Sequence, residues 1–441
     1  MHTTRRNLLK ASAGAAIVYK LVGDPPPAAA LPGPNDQIRL GMIGMGIRGS
    51  YHLKTLRKLS GVQTVVVADI YDGHLAWAKE QTDGAIETTK EYRAVLDRKD
   101  IDAVIIATPD HWHLPMVLDS LAAGKHVFVE KPMTYSIEEG PRIIDAVKRS
   151  GKLLMVGSQH RTTPISLKAQ EIVKSGALGT INMVRMSNQR NTPGGAWVYA
   201  IPPDASPATI AWDKFLGRAP QRPFDAKHFF RWRCWWEYSG GVCSDLWVHM
   251  FTRIHTVLDC GAPKSAVAQG AILRWNDGRA VPDVMSGLYQ YDGFIVDVSA
   301  DLGNANDLAN GTIIMGSKGT LVMPTKAADT TLVFYPEAPA PQHDTSGMDS
   351  WPKAIRAQYL ASLGLGDREK SPKAAPVETM PVEKGPEHNE YFIRSLRDGT
   401  PSREDAEFGH CAAGAAHLGN VAFRGGCRAV WDYATNRVTK A

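Results

Sequence analysis

Three short stretches of the 441-residue sequence combine residue types and spacings that could do chemistry. GMGIRG (44–49) repeats glycine at fixed offsets, EKP (130–132) places an acid and a lysine after an apolar run, and DLWVH (245–249) separates a carboxylate from an imidazole by four positions. Together they offer a backbone loop that a ligand can approach closely, an ammonium group, and a histidine able to accept a proton near pH 7.

The glycine stretch lies in the context that a dinucleotide site requires. Residues 38–44 predict a short apolar strand, and SYHLKTLRKL (50–59) predicts a helix directly after the loop. Gly44 permits the tight turn, Gly46 lets the backbone approach a pyrophosphate, and Gly49 lets helix and strand pack closely. The pyrophosphate would lie at the helix N-terminus, where free N–H groups and the helix dipole favour an anion.

The next predicted strand, VQTVVVADI, contains an acid at Asp69, twenty residues beyond Gly49. At this spacing a carboxylate can accept hydrogen bonds from the adenosine ribose, and its charge would repel a 2′-phosphate. The sequence therefore predicts NAD as the cofactor, in preference to NADP.

Two further apolar runs break at polar residues. IDAVIIATPDHWH breaks at Thr108-Pro109, and HVFVEKPMT breaks at Glu130-Lys131. Continuous apolar runs suit parallel strands that are covered on both faces, and doubly wound sheets bind ligands at the carboxyl ends of their strands. The predicted cofactor-binding residues are Gly44, Gly46, Ile47, Arg48, Gly49, Asp69, Thr108, Pro109, His113, Glu130 and Lys131.

Length and composition narrow the class of protein. The chain is long enough for two domains, and 22% charged residues with 44% hydrophobic residues are typical of a folded globular protein. The net charge of +5 is scattered along the chain, so no nucleic-acid partner is expected. Five cysteines without a C-x-x-C pair predict no metal site, and after the leader no apolar run is long enough to predict stable membrane insertion.

Residues 1–30 carry the features of an export signal. TRRNLLK (4–10) matches the twin-arginine pattern, a weakly apolar stretch follows, and Ala28-Ala29-Ala30 offers a small-residue cleavage site. Because the twin-arginine route carries folded proteins, we expect a periplasmic or extracellular protein that acquires its cofactor before export.

The set GMIGMGIRG, ATPDHWH, GKHVFVEKPMT and GGVCSDLWVH resembles the Gfo/Idh/MocA family, and the C-terminal stretch 387–426 resembles its secreted, twin-arginine-led branch. The resemblance implies an α/β protein with an N-terminal Rossmann domain and a C-terminal α/β domain. That second domain would contain an open, mostly antiparallel sheet that often forms the interface of a homo-oligomer. We place the NAD-binding domain at 36–158 and the C-terminal domain at 159–430.

The resemblance also implies roles for three residues. Lys131 corresponds to the lysine of the family's EKP motif, and Asp245 and His249 to its D-x-x-x-H pair. His249, alone or with Lys131, would take the proton of a hydroxyl group while hydride leaves the same carbon. Asp245 would orient the imidazole or bind a second hydroxyl. The family pattern continues H-x-x-D, whereas this chain has Thr252, so the role of that aspartate does not carry over.

Several aromatic and histidine residues admit both a functional and a structural interpretation. In FFRWRCWWEYSGG the arginines and tryptophans could form a sugar-binding platform or simply part of the core. His160 could contact substrate, whereas His255 is expected to be structural. The predicted substrate-binding residues are Trp232, Arg233, Trp236, His160 and Asp245. Residues 324–386 are predicted to be loop-rich around one short helix.

These features predict an oxidoreductase that transfers hydride between NAD and a secondary hydroxyl of a sugar or polyol. Since free NAD is not available outside the cytoplasm, the cofactor of an exported enzyme should stay bound. Two alternatives remain open. One is a redox-neutral glycoside hydrolase similar to family 109, which oxidises a sugar transiently and cleaves by elimination. The other is a sugar-binding protein without catalytic activity.

Overall fold

The structure is a computed structural model that describes residues 37–306, 310–324, 330–339, 343, 345–365 and 373–441. The predicted leader, residues 1–30, lies outside the described residues. Two sheets, each covered by helices, organise the described chain. No helix in the described ranges is long and apolar enough to cross a membrane.

The first sheet has six parallel strands in the order β3-β2-β1-β4-β5-β6. Its strands are β1 (Ile38–Ile43), β2 (Val62–Ala68), β3 (Glu87–Thr89), β4 (Ala103–Ile106), β5 (His126–Val129) and β6 (Leu154–Val156). This is the strand order of a Rossmann domain, in which the order reverses between β1 and β4 and opens a crevice for a dinucleotide. The predicted fold class is confirmed.

Helices cover both faces of this sheet. They are α1 (Ile47–Leu56), α2 (Asp72–Glu80), α3 (Tyr92–Leu96), α4 (His113–Ala122) and α5 (Gly140–Ser150). Every residue of β4 is buried, and its side chains alternate between two apolar clusters, with Val104 and Ile106 in one and Ile105 in the other. Burial on both faces is the reason that these strands are apolar without interruption.

The second sheet has ten strands in the order β14-β13-β12-β11-β7-β10-β9-β8-β15-β16. Its neighbours are antiparallel except β7 and β10. The strands are β7 (Ile181–Gln189), β8 (Ser265–Ala271), β9 (Val284–Gln290), β10 (Ile295–Asp301), β11 (Gly311–Gly316), β12 (Gly319–Met323), β13 (Thr331–Pro336), β14 (Glu378–Pro381), β15 (Ala429–Asp432) and β16 (Arg437–Lys440).

The remaining helices pack on one face of this sheet or connect it to the first domain. They are α6 (Pro164–Lys174), α7 (Trp212–Leu216), α8 (Ala226–Phe230), α9 (Val248–Leu258), α10 (Lys353–Ser362), α11 (His388–Asp398) and α12 (Ala406–Gly425). A π-helical turn, Cys243–Trp247, leads directly into α9.

Helix α12 contacts both the loop that follows EKP and the segment that precedes DLWVH. His417 bonds the main-chain oxygen of Thr134, just after EKP, at 2.7 Å. Asn420 donates to the main-chain oxygen of Gly240, just before the π-helical turn, at 2.9 Å. One helix therefore fixes both the loop that carries Lys131 and the segment that carries Asp245.

Two features differ from the sequence prediction. Strands β13 and β14 lie within residues 324–386, which were expected to contain one helix, α10, and otherwise loops. The alternation in β13, where Leu332 and Phe334 are buried, is the signal of a half-buried strand. Helix α11, expected in the second domain, packs Phe392 and Ile393 into the apolar core under β1, because the chain returns to the first domain before forming α12.

Candidate functional site

The turn between β1 and α1 can be formed only by glycine at two positions. Gly44 has φ +90°, and a Cβ there would lie 2.6 Å from the main-chain oxygen of Ala107. A Cβ on Gly49 would lie 2.0 Å from the oxygen of Gly44. By contrast, a Cβ on Gly46 would meet nothing closer than 3.9 Å, because this residue faces a cavity. The loop thus leaves its open space where a pyrophosphate would approach.

A cavity of about 680 Å³ extends from this loop along the carboxyl ends of β1, β2, β4 and β5. Most of the predicted cofactor-binding residues line it, namely Gly44, Gly46, Ile47, Arg48, Asp69, Thr108, Pro109, Glu130 and Lys131. Gly49 lies behind the loop as a packing residue. The size, the glycine cradle and the ring of strand ends fit a dinucleotide.

Asp69 lies just beyond the end of β2 and lines the cavity. Burial opposes its ionisation, but His74 and the N–H groups of Met45 and Tyr71 outweigh burial and lower the pKa of its carboxyl. The N–H of Met45 donates to Oδ2 at 2.6 Å, and His74 lies 3.1 Å from the same oxygen. Asp69 is therefore an anion at the position where a ribose would bind.

Glu130 is held by two partners at the same oxygen, Oε1. Arg48 contacts it at 2.8 Å and His52 Nε2 at 2.8 Å. Burial raises the pKa of the carboxyl, but the charge of Arg48 and the bond to His52 outweigh burial and lower the pKa overall. Glu130 therefore stays ionised. This ion pair ties α1 to the end of β5 and so fixes the residue before Lys131.

Lys131 and Asp245 meet across the domain boundary. Lys131 Nζ donates to Asp245 Oδ1 at 2.7 Å and to its main-chain oxygen at 3.0 Å. Arg233 Nε also donates to Oδ1, at 2.9 Å, and Trp197 Nε1 donates to Oδ2 at 2.8 Å. Burial alone would raise the pKa of this carboxyl, but the charges of Lys131 and Arg233 lower it well below its usual value.

His249 follows in the first turn of α9. Its Nδ1 is buried without a hydrogen-bond partner, and its ring packs edge-to-face on His160. Burial and the nearby charge of Lys131 lower the pKa of His249 well below its usual value. The imidazole is therefore neutral at pH 7, as a proton acceptor must be.

One sequence interpretation held that Asp245 orients the imidazole of His249. The structure shows no such contact. The oxygens of Asp245 bond Lys131, Arg233 and Trp197 instead. The reason is local: residues 243–247 form a π-helical turn, so positions 245 and 249 are not related by the α-helical spacing that the sequence suggested. The carboxylate consequently binds the lysine of the first domain.

Trp197 is a contributor that sequence reasoning missed. It is fully buried and has φ +63°, a left-handed conformation that is costly for a bulky residue. Its indole N–H holds Asp245 Oδ2 at 2.8 Å. Such strain persists where the surroundings enforce it, which is common at functional sites. No motif in the sequence signals this conformation.

The other predicted residues lie at varied distances from the cavity. Trp232 and Arg233 line it, whereas Trp236 does not and donates to the oxygen of Ala280. His113 lies beneath the cavity, where its ring nitrogens contact the main-chain oxygens of Pro132 and Thr108 and so position both turns. His160, Asp245 and His249 are not among the residues that line the cavity, and the ring centres of the two histidines lie 5.6 Å apart.

Two residues noted in the sequence prove to be packing residues. Thr252, which replaces the family's aspartate, is buried and accepts a hydrogen bond from Ser158 at 2.8 Å. His255 is buried and bonds Tyr291 at 2.8 Å, in line with the structural role expected for it. Across the described residues, no group of His, Cys, Asp or Glu could hold a metal ion.

Sequence reasoning also missed that residues 199–238 cover the cavity; we call this segment the cap. The cap pairs with the edge of the cofactor crevice through a bridge between Tyr71 and Ile210, and Tyr71 donates to Asp204 at 2.6 Å. Trp112 donates to the oxygen of Phe215 at 2.9 Å. An aromatic cluster fills the interface, so the cap forms the second wall of the cavity.

Comparison with known families decides the classification. Residues 38–158 match the model described as oxidoreductase family, NAD-binding Rossmann fold, and residues 215–322 match the GFO/IDH/MocA C-terminal domain. The chain belongs to the Gfo/Idh/MocA family. Both domain types predicted by the resemblance are therefore present, and the first is an NAD-binding domain.

Among curated relatives, the chain is 31% identical over 158 residues to the uncharacterized oxidoreductase YrbE of Bacillus subtilis, covering 36% of this chain and 46% of that protein. It is 34% identical over 152 residues to an alpha-N-acetylgalactosaminidase of Shewanella oneidensis, covering 33% of each. The chain thus spans less than half the length of these relatives.

Among solved structures, the fold is similar to the WlbA dehydrogenase of Chromobacterium violaceum in complex with NADH and UDP-GlcNAcA. The TM-score is 0.64 at 20% identity, with 92% of this chain and 99% of that chain covered. At 20% identity, this similarity shows that the two proteins share the fold of both domains.

We predict that alanine at two positions of the glycine loop has different effects. Gly46→Ala should weaken NAD binding with little change in melting temperature, because its Cβ projects into open space that the pyrophosphate needs. Gly49→Ala should lower the melting temperature, because its Cβ would clash with the oxygen of Gly44. Calorimetric titration with NAD and thermal unfolding check the pair; equal effects on both measurements would contradict the assignment.

Proposed function

We propose that the protein is an NAD-dependent oxidoreductase that acts on a secondary hydroxyl of a sugar or polyol. The observation that carries this proposal is the contact of Lys131, which lines the cofactor cavity, with Asp245 at 2.7 Å, together with the neutral His249 whose pKa burial and the charge of Lys131 lower. A protein that only bound sugar would not need a lysine and a proton-accepting histidine there. The WlbA structure, a dehydrogenase solved with a nucleotide sugar, supports the substrate class.

The side chains divide the proton chemistry between them. Lys131 donates two of its three N–H groups to Asp245, so the third is available for the oxygen of a substrate hydroxyl. That hydrogen bond stabilises the negative charge that develops on the oxygen as its proton leaves. His249 takes the proton at Nε2, since its Nδ1 is buried. NAD, when bound, supplies the hydride acceptor.

The acid that faces the ribose site supports NAD over NADP. Asp69 stays ionised and lines the cavity, so a 2′-phosphate would bring further negative charge against it. His74 lies beside Asp69 and offsets part of that charge, which makes the expected discrimination smaller than for an isolated carboxylate.

The cap supports a cofactor that stays bound. Residues of the cap, among them Tyr199, Phe229, Phe230 and Trp232, line the cavity opposite the Rossmann strands. Separation of the cap from Tyr71 and Trp112 would widen the exit for a dinucleotide held between these walls. Retention of NAD agrees with export in the folded state. Export itself stays a prediction, which cell fractionation of the full chain tests.

A second candidate is the redox-neutral hydrolase. It is favoured by the relative named alpha-N-acetylgalactosaminidase, which matches this chain over 152 residues at 34% identity. In such a reaction the hydride removed from the sugar returns to it after the glycosidic bond has broken. Both candidates use the same hydroxyl-activating residues, so the products must decide between them.

The exposed face of the second sheet supports a homo-oligomer. Val267, Leu288, Ile295 and Tyr335 leave 42%, 49%, 47% and 45% of their surfaces exposed on neighbouring regions of that sheet. Burying such residues against a second copy of the chain would be favourable. Sedimentation at micromolar concentration that finds only monomers would refute this.

We predict that the protein purified without added cofactor carries NAD and reduces it once when given a suitable sugar. A second sugar in its oxidised form should restore the oxidised cofactor if the protein is an oxidoreductase. The measurement follows the absorbance of reduced nicotinamide and the sugar products across a panel of sugars and glycosides. Released aglycone without lasting reduction would assign the hydrolase instead, and the absence of both results would refute the proposal.

The lowered pKa of His249 predicts the pH dependence of the reaction. The oxidation rate should stay constant as pH falls through about 6.5, where an unperturbed histidine would be half protonated, and decline only at lower pH. His249→Ala should reduce the rate by roughly 10²- to 10⁴-fold. Stopped-flow rates of cofactor reduction measure both; a midpoint near pH 6.5 would contradict the buried, neutral imidazole.

The cap predicts a slow release of NAD. Phe230→Ala should raise the dissociation rate about tenfold, since it removes apolar surface from the cavity wall. Phe224→Ala is the matched control, because it lies in the same cap and packs on Trp212 without lining the cavity. The rate is measured by dilution of the loaded protein with excess competing nucleotide. Equal rates in both variants would show that the cap does not retain the cofactor.

A further inference from the structure

The substrate end of the cavity holds more positive than negative charge. Lys131 and Arg233 line this end, Arg231 donates to the main-chain oxygen of the lining residue Tyr199, and Arg190 follows the end of β7. Lys131 and Arg233 share a single carboxylate, that of Asp245. Within the described chain, neither Arg190 nor Arg231 forms an ion pair with an acid; their Nε atoms donate to Asn188 Oδ1 at 3.0 Å and to the oxygen of Tyr199 at 2.9 Å.

Tyr199 is the cavity-lining residue on which the arginines act. It lines the cavity, and its main-chain oxygen accepts the bond from Arg231. Burial raises the pKa of its phenol, while the charges of Arg233 and Arg190 act in the opposite direction. The charge of Arg190 also reaches Asp245. Arg231 therefore contacts Tyr199 directly, and Arg233 lines the same cavity.

The neighbouring acids offset only part of this charge, Asp245 and Asp110 being those whose charges act on Arg233. Glu130 is already bound by Arg48 and His52. Asp110 accepts hydrogen bonds from Ser244 Oγ at 2.9 Å and from the N–H of Gly240 at 3.3 Å, and it forms no ion pair. His249 is neutral at pH 7 because of its lowered pKa. An oxidised nicotinamide ring would add one more positive charge.

Arg233 keeps donors free for a ligand. Only its Nε is bonded, to Asp245 at 2.9 Å, and its guanidinium lies 4.2 Å from the ring centre of Trp232. The terminal nitrogens have no acceptor among the described residues, and the side chain lines the cavity. A stacked guanidinium with free terminal nitrogens can bind a carboxylate or phosphate through two hydrogen bonds.

From this cluster we propose that the substrate is an anionic sugar derivative, whose carboxylate or phosphate group is bound by the free terminal nitrogens of Arg233 and attracted by the charge of Arg190. This inference rests on the proposed sugar oxidoreductase function and narrows its substrate class. The anion compensates the excess charge at the site, and its binding leaves the hydroxyl to be oxidised beside Lys131. A neutral sugar leaves Arg190 and Arg231 without an ion-pair partner among the described residues.

Calorimetric titration of the full-length, NAD-loaded protein tests this inference. The probes are matched sets of a neutral hexose, its hexuronate and its 6-phosphate in the gluco, galacto and manno configurations. At least one anionic member should bind about tenfold or more tightly than its neutral counterpart, as expected for hydrogen bonds to charged groups. Raising the ionic strength should weaken binding of that anion and not of the neutral sugar. The hexuronate and phosphate arms identify the anionic group.

Matched variants separate a specific site from general attraction. Arg190→Gln should reduce the preference for the anionic sugar about tenfold. Arg185→Gln, on the exposed face of the same strand and paired with Asp297 at 3.5 Å, should leave the preference unchanged. An Arg190→Gln variant that weakens NAD binding and keeps the preference would assign this arginine to the cofactor and overturn the inference.

Different results would refute the anionic substrate and the oxidoreductase function. Neutral sugars that bind and reduce the cofactor at least as well as their anionic counterparts overturn the anionic substrate and leave the oxidoreductase intact. Absence of binding and of cofactor reduction in every set counts against both.

Discussion

The contact between Lys131 and Asp245 is the interaction on which the rest of the site depends. One partner follows β5 of the Rossmann domain and the other lies in the π-helical turn before α9, so the pair sets how the two domains meet at the cavity. Both side chains are largely buried, and removing one partner of such a pair costs about 3–5 kcal/mol because the other charge is left uncompensated. Helix α12 supports the contact by bonding the loops on either side.

The same pair decides the electrostatics around it. With Asp245 held by Lys131, Arg233 and Trp197, the carboxylate is saturated, and His249 keeps an uncharged imidazole. The ammonium group of the lysine lies near a neutral base. This combination can accept the proton of a hydroxyl group and stabilise the alkoxide that remains. The arginines beyond Asp245 then have no acid of their own, so the local field favours a substrate that brings negative charge.

Much of this arrangement could be predicted from the sequence, because its signals are local. The glycine spacing, Asp69 and the strand that precedes Lys131 predicted a Rossmann domain, which the structure confirms, and Asp69 and Lys131 line its cavity because parallel strands bring their carboxyl ends to one edge. The partner of Asp245 could not be predicted, because a π-helical turn changes the direction of residues 243–247 without a sequence motif. The cap, formed by contacts over long sequence separations such as Tyr71 with Ile210, left no periodic signal either.

A double-mutant cycle on Lys131 and Asp245 measures how strongly the two residues depend on each other during catalysis. The rates of cofactor reduction are measured for the parent, Lys131→Ala, Asp245→Ala and the double variant with the best sugar substrate. If the two residues act as one unit, the double variant will be about as slow as the slower single variant, with a coupling energy of roughly 1.5 kcal/mol or more. Losses that simply add would contradict the account, because each residue would then act without the other.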